Sequence, residues 1–208
     1  MTDREARKQA VLATAIPGVP FDGWSDKLMR SLDDDAAVLF PGGAADLLDF
    51  YMSEADRRMV EALAQVDLPA MKIRQRIAAA IRLRLEQSEA ERETVRRTLA
   101  TLALPGHASL GLRSLYRTVD AIWRACGDTA TDFNFYTKRG LLAGVYSSTL
   151  LFWLNDDSPG LENTWAFLDR RIEQVMEIQK ARGRFDKLAE KLPSPWPILS
   201  RLRYPSRA

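Results

Sequence analysis

Between Gly140 and Leu154 the chain runs for 15 residues without a charge, GLLAGVYSSTLLFWL. A bilayer span needs about 20 mostly apolar residues, and this run is shorter and carries Tyr146, Ser147, Ser148 and Thr149. It is also too apolar to lie on a solvated surface. The environment that suits it is the interior of a helical bundle, so the rest of the chain has to supply the surrounding helices. At 208 residues there is enough chain for one domain or two tightly packed small ones.

Those helices are legible in the spacing of apolar residues, and no stretch alternates as a strand would. Residues 4–16 form a first helix that stops at Pro17-Gly18. Ser25 caps a second over 26–35, and Pro41-Gly42-Gly43 breaks the chain before a third over 44–66. In this third helix Leu47, Leu48, Tyr51, Met59 and Leu63 point inward. Asp67 stands at an N-cap position with Pro69 in the first turn of a helix over 69–86. Its inward stripe is Ile73, Ile77, Ala80, Ile81 and Leu85, with arginines on the other face. Ser88 and Glu91 have capping-box spacing for the next helix, which ends at Leu104-Pro105-Gly106. A helix over 108–126 then offers Leu112, Leu115, Val119, Ile122 and Trp123. Two further helices follow, over 132–154 and 160–182, before alternating prolines at 193, 195 and 197 end regular structure.

The expected fold is all-α and TetR-like. A degenerate helix-turn-helix-like head spans 1–56, a helical ligand-binding and dimerisation body 57–192, and a Pro-rich basic tail 193–208. The head is a poor partner for nucleic acid. Residues 17–56 hold nine acidic side chains against Lys27 and Arg30, and phosphate binding rests on positive charge. Where a recognition helix would lie the sequence reads AAVLFPGGA, with no side chain suited to a base edge.

Catalysis lacks parts. His107 is the only histidine and falls at a Pro-Gly break, so two Glu-x-x-His pairs for a di-iron bundle are out of reach. With one cysteine, Cys126, neither a Cys/His zinc site nor an intrachain disulfide is available, and Cys126 reads as a small core residue. No Gly-rich phosphate cradle occurs. Asp156-Asp157 precedes Ser158-Pro159, a turn whose carboxylates suit the positive end of the next helix. The expectation is a protein that is not an enzyme and has no cofactor.

What remains is binding. Gly140, Ala143, Gly144, Ser147 and Ser148 put small side chains on one side of the uncharged helix, open to close approach by a helix or a flat ligand. Leu142, Tyr146, Leu150 and Trp153 form another side, an apolar wall with two polar handles that suits a lipid bearing a polar ring. The same pattern also serves as the central helix of an all-α core. Leu161, Trp165, Leu168, Ile172 and Val175 repeat at spacings of 4, 3, 4 and 3, a seam for self-association or for the chain's own core. The tail carries seven basic and two acidic residues from Arg182 onward. Trp196, Leu199, Arg201 and Arg203 there suit contact with an anionic membrane surface. Folding back on the body, or simple solvation, suits the tail equally.

The motif DFNFYTKR at 132–139, the run LLAGVYSSTL, Asp157-Ser158-Pro159 and Thr164-Trp165-x-Phe167-Leu168 together resemble the Coq nine family. These are accessory lipid-binding proteins of ubiquinone biosynthesis. The resemblance extends more weakly to Phe21-Asp22-Gly23-Trp24-Ser25. It implies a TetR-type fold without DNA binding, a homodimer, a bound isoprenoid quinone precursor or phospholipid, and peripheral membrane contact. It also implies a partner, the di-iron demethoxyubiquinone hydroxylase, docked near Asp132, Asn134, Phe135, Tyr136 and Arg139. Phe135 stands where eukaryotic members carry tryptophan, which reduces contact area. With no mitochondrial presequence evident, the expected place is the cytoplasm, peripheral to the inner membrane. The rival reading is a TetR-type transcriptional regulator with a small-molecule pocket.

Overall fold

Prolines and glycines set the lengths of the first elements. In the computed structural model the backbone is described for residues 2–127 and 133–189, and side chains for 2–127 and 137–177. Helix α1 (Asp3–Ala15) begins at Thr2, whose hydroxyl accepts from the Glu5 N–H at 3.3 Å, and gives way to a 3-10 turn at Ile16–Gly18. Helix α2 (Val19–Asp22) ends at Gly23, which takes a φ of 63° that a β-carbon would disfavour.

The single helix expected over 26–35 is two. Helix α3 (Asp26–Arg30) starts at the Ser25 cap as predicted, with the Leu28 N–H donating to Ser25 Oγ at 3.3 Å. The Ser31 hydroxyl then turns back to donate to Leu28 O at 2.7 Å, and Asp33 is extended before α4 (Asp34–Leu39). Short polar side chains bonding their own backbone offer the chain an alternative to helix, and here that alternative wins.

Helix α5 (Ala44–Leu63) is the spine. Its five predicted inward residues are all buried. Its first half closes the head core with Leu12, Val19, Trp24, Leu28 and Phe40. Each such side chain contributes about 1.5–3 kcal/mol when fully buried. Its second half packs on α6 (Ile73–Glu86) and α8 (Ala108–Ala125).

Several local expectations need correction. Pro69 lies in a separate 3-10 turn, and α6 starts at Lys72, where the Gln75 side chain accepts from the Lys72 N–H at 2.9 Å. Ser88 caps nothing: it is buried, and its hydroxyl donates to Arg84 O at 3.1 Å. Helix α7 (Arg92–Leu102) therefore begins after a 3-10 turn at Glu89–Glu91. Arg84, assigned to the outer face of α6, is buried against Asp56, whereas Ile73 is 39% exposed. On α8 Leu112 is 71% exposed, and Ser114 and Thr118 occupy the inward positions instead. They face inward because Asp49 and Asp56 of α5 need partners: Thr118 Oγ1 donates to Asp56 at 2.8 Å, and Arg117 reaches Asp49 at 2.7 Å.

Helix α9 (Phe133–Trp153) carries the uncharged run, and α10 (Glu162–Ala189) closes the described chain. Among the described residues there is no strand, and no helix is long and apolar enough to cross a membrane. The chain divides into a unit through Asp169, which holds α1 to α9 and the start of α10, and a unit from Arg170 onward, which continues α10.

Candidate functional site

Helix α9 separates its two kinds of side chain as the spacing predicts. Leu142, Tyr146, Leu150 and Trp153 are all buried. Burial, against the pull of the nearby Arg84 charge, pushes the Tyr146 hydroxyl above the usual phenol range. Arg92 lies over the Trp153 ring at 5.0 Å, and the Trp153 indole N–H is buried with no hydrogen-bond partner among the described residues.

Tyr146 and Leu150 border a cavity of about 10 Å³ between α5, α6, α7 and α9, room for a single water, lined also by Met52, Leu85, Val95 and Leu99.

The small-residue side faces outward. Gly140 and Gly144 are exposed, and a methyl group built on either would meet no atom within 4 Å. No neighbouring helix of the described chain uses the close approach these glycines allow. Along the same face follow Ser148 and Leu151, which is 57% exposed, and then Phe152, stacked on Phe167 of α10 at 4.6 Å and 11°. Ser148, Leu151, Phe152, Asn155 and Phe167 line an open groove of about 610 Å³.

The turn after α9 is built as the sequence suggested. Asp156 is buried and accepts from Thr164 N at 2.8 Å, Thr164 Oγ1 at 2.6 Å and Ser158 N at 3.0 Å. Burial opposes its charge, but the bonds from Thr164 and Ser158 outweigh that and hold the carboxyl well below the usual range. Asp157 remains in solvent. Gly160 and Leu161 both have positive φ, 61° and 59°. In Leu161 that conformation costs about 1–2 kcal/mol, offset by burial of its side chain. From α7, Arg92 donates to Asp156 O at 2.8 Å and Arg96 to Leu154 O at 2.7 Å, so two arginines satisfy the carbonyls at the end of α9.

The seam residues differ in their exposure. Leu161, Leu168 and Ile172 are buried within the one chain, and Trp165 and Val175 are half-buried. The Trp165 indole N–H donates to Gly160 O at 2.9 Å, and Arg82 lies over its ring at 5.1 Å.

Of the residues that the resemblance associates with a docked partner, Arg139 is turned inward. It is 4% exposed and paired with Asp120 at 2.7 Å, which fixes the start of α9 on α8 and presents no charge outward. Asp132 and the side chains of Asn134, Phe135 and Tyr136 lie outside the described residues. So do Trp196, Leu199, Arg201 and Arg203. Cys126 is buried at the end of α8, and burial pushes its thiol up to about 11.

Sequence reasoning missed the polar lining of the small cavity: Tyr51, Arg84, Ser88 and Thr98. Tyr51 lies in the core as its spacing predicts, and burial together with the neighbouring Glu91 pushes its hydroxyl well above the usual phenol range. An arginine on an inward helical stripe was the signal available for Arg84.

Comparison with known proteins gives concordant results. Residues 108–179 match the COQ9 family, the Coq nine family of the motif resemblance. The ubiquinone biosynthesis protein COQ9, mitochondrial, of Xenopus tropicalis is 32% identical over 187 residues, covering 84% of this chain and 59% of that protein. Its rat counterpart is 32% identical over 192 residues, covering 85% and 62%, and its human counterpart 30% over 187 residues, covering 84% and 59%. The chain thus spans about 60% of the length of these relatives. Among solved structures, a TetR transcriptional regulator from Nitrosomonas europaea superposes with a TM-score of 0.65 at 19% identity, covering 81% of this chain and 97% of the regulator. The fold is TetR-like and all-α.

Proposed function

We infer that this chain, similar to the COQ9 ubiquinone-biosynthesis proteins over 84% of its length, is itself an accessory protein of ubiquinone biosynthesis that acts by binding and not by catalysis. The observation that carries this reading is the similarity itself, which runs through α8, α9, the Asp156 turn and the start of α10. The acidic head supports it against the TetR-type regulator, because a surface of net negative charge repels a duplex.

The cargo in this reading is an isoprenoid or quinone-type lipid, received against Tyr146 and Leu150 when the small cavity widens. Its receiver is the di-iron demethoxyubiquinone hydroxylase, docked at the start of α9. Self-association in this reading uses the outer face of α9 beside the α10 seam of Leu161, Trp165, Leu168, Ile172 and Val175. There Gly140, Gly144, Ser148 and Leu151 leave room for a second copy to pack closely. The basic tail provides peripheral contact with the membrane that holds the substrate.

The test is deletion of the gene in the source organism, with quantification of ubiquinone and its precursors by mass spectrometry. The expected result is a fall in ubiquinone with accumulation of the precursor that lacks one ring hydroxylation. Unchanged ubiquinone would remove the reading. Native mass spectrometry of the purified protein tests the lipid separately: co-purified quinone or phospholipid is expected, and a bare polypeptide counts against cargo binding.

A further inference from the structure

The turn between α5 and α6 reads AQVDLPAMKIRQR over residues 64–76, and none of its side chains is buried. Leu68, Pro69, Ala70 and Met71 follow one another there. A run of four apolar residues left at the surface is more than a solvated turn requires.

The turn is held in shape by its own backbone and one guanidinium. The Leu68 N–H donates to Val66 O at 2.7 Å, and the Met71 N–H to Leu68 O at 2.9 Å. Arg76 donates from Nε to Met71 O at 3.0 Å and from Nη2 to Pro69 O at 3.4 Å. Its Nη1 reaches Cys126 O at 3.0 Å, which ties the turn to the end of α8. Main-chain groups with partners of their own can leave water without the heavy cost of stranded polar atoms.

Charge is interleaved with the apolar residues. Met71, Lys72, Ile73 and Arg74 are consecutive, and Ile73 is 39% exposed. Lys72 and Arg74 are exposed and form no ion pair among the described residues. The carbonyls that accept from Arg76 leave its charge in place. Asp67 is the one carboxylate in the stretch against these three cations.

We propose that the α5–α6 turn is a contact for an anionic phospholipid surface. Leu68, Pro69, Met71 and Ile73 enter the boundary between headgroups and acyl chains, while Lys72 and Arg74 reach the phosphates on long apolar stems. The alternation favours lipid over a protein partner, because lysine is depleted from protein interfaces whereas a lipid boundary accepts both kinds of side chain at once. The proposal rests on the membrane-contact reading above and adds to the basic tail a separate contact on the helical body. Trp123, near the end of α8, donates to Lys138 O at 3.2 Å, so the start of α9 stands at this same end. The partner enzyme docked there would be held close to the membrane.

The test uses the full-length protein and vesicles of phosphatidylcholine with or without phosphatidylglycerol, read by co-sedimentation. Wild type is expected to bind the anionic vesicles, more weakly as salt rises. Lys72→Gln/Arg74→Gln should lose roughly thirtyfold in affinity and melt as wild type does. Ile73→Ser should lose on the order of tenfold. Cys126 is buried, so an environment-sensitive fluorophore can be placed selectively on Ile73→Cys, and its emission should shift to the blue on anionic vesicles. Arg201→Glu/Arg203→Glu, which weakens the tail contact, should leave that shift in place.

Wild-type affinity in Lys72→Gln/Arg74→Gln, or a fluorophore that stays in water while the vesicles bind, overturns this proposal and leaves membrane contact to the tail. Wild type that binds no anionic vesicles overturns both readings. A Lys72→Gln/Arg74→Gln protein that keeps its vesicles but loses its partner enzyme assigns the turn to a protein surface, and that also overturns the proposal.

Discussion

Arg84 on α6 and Asp56 on α5 meet at 3.3 Å with side chains only 5% and 6% exposed, an ion pair inside a helical core. Asp56 also accepts from Thr118 at 2.8 Å and from Arg117 at 3.4 Å, which ties α5, α6 and α8 through one carboxylate. Removing that carboxylate leaves the buried Arg84 charge without its counter-ion. Asp56→Ala should therefore cost about 3–5 kcal/mol of stability. Arg84→Met leaves Asp56 with two remaining partners and should cost about 1–3 kcal/mol. Urea denaturation of the two variants checks the order; equal losses would mean that the pair does not act as described.

Asp156 makes stability depend on acid. Its folded carboxyl lies below the unfolded value of about 3.9, so on acidification the unfolded chain takes up the proton first. The stabilisation is complete above about pH 5 and fades as pH falls below about 4. Asp156→Asn should melt below wild type by a constant margin above that range, and the margin should narrow toward pH 3. Thermal melts across pH 3–7 measure it, and a margin that widens on acidification would contradict the assignment.

Gly144 separates folding of the protomer from association. A methyl there meets nothing within the protomer, so Gly144→Ala should stabilise a dissociated protomer by about 0.5–1 kcal/mol through helix propensity. Gly144→Leu adds bulk to the face assigned to a second copy and should shift sedimentation toward the monomer. A Leu variant that still sediments as wild type would place any self-association elsewhere.

The head should not bind a duplex. Nine carboxylates in residues 17–56 face two cations, so no mobility shift is expected with operator-length DNA at physiological salt. A salt-sensitive shift under those conditions would revive the regulator.

The sequence carried the fold further than the site. Long helices with apolar residues at helical spacing, α5 and α9 above all, were read correctly because burial enforces that period. The break at Ser31–Asp33 was not read, since it depends on a serine choosing its own backbone over the helix. The inward arginine on α6 and the inward Ser114 and Thr118 on α8 were missed for a shared reason. Each is buried by a partner on another helix, and periodicity counts apolar side chains only. At the site, the division of α9 into a buried wall and a small-residue face was legible. Which face stayed open was not, because that depends on which neighbours arrive.

The left-handed Leu161 carries a consequence for drift in this sequence. Glycine at that position would relax the backbone but remove the peg that seats the reversal after α9, whereas another bulky residue would keep a peg and inherit the strain. Neither exchange improves both, so the hinge point is pinned between two opposing penalties. Phe152 and Phe167 stack across this reversal, so the aromatic lining of the groove depends on the same pinned turn.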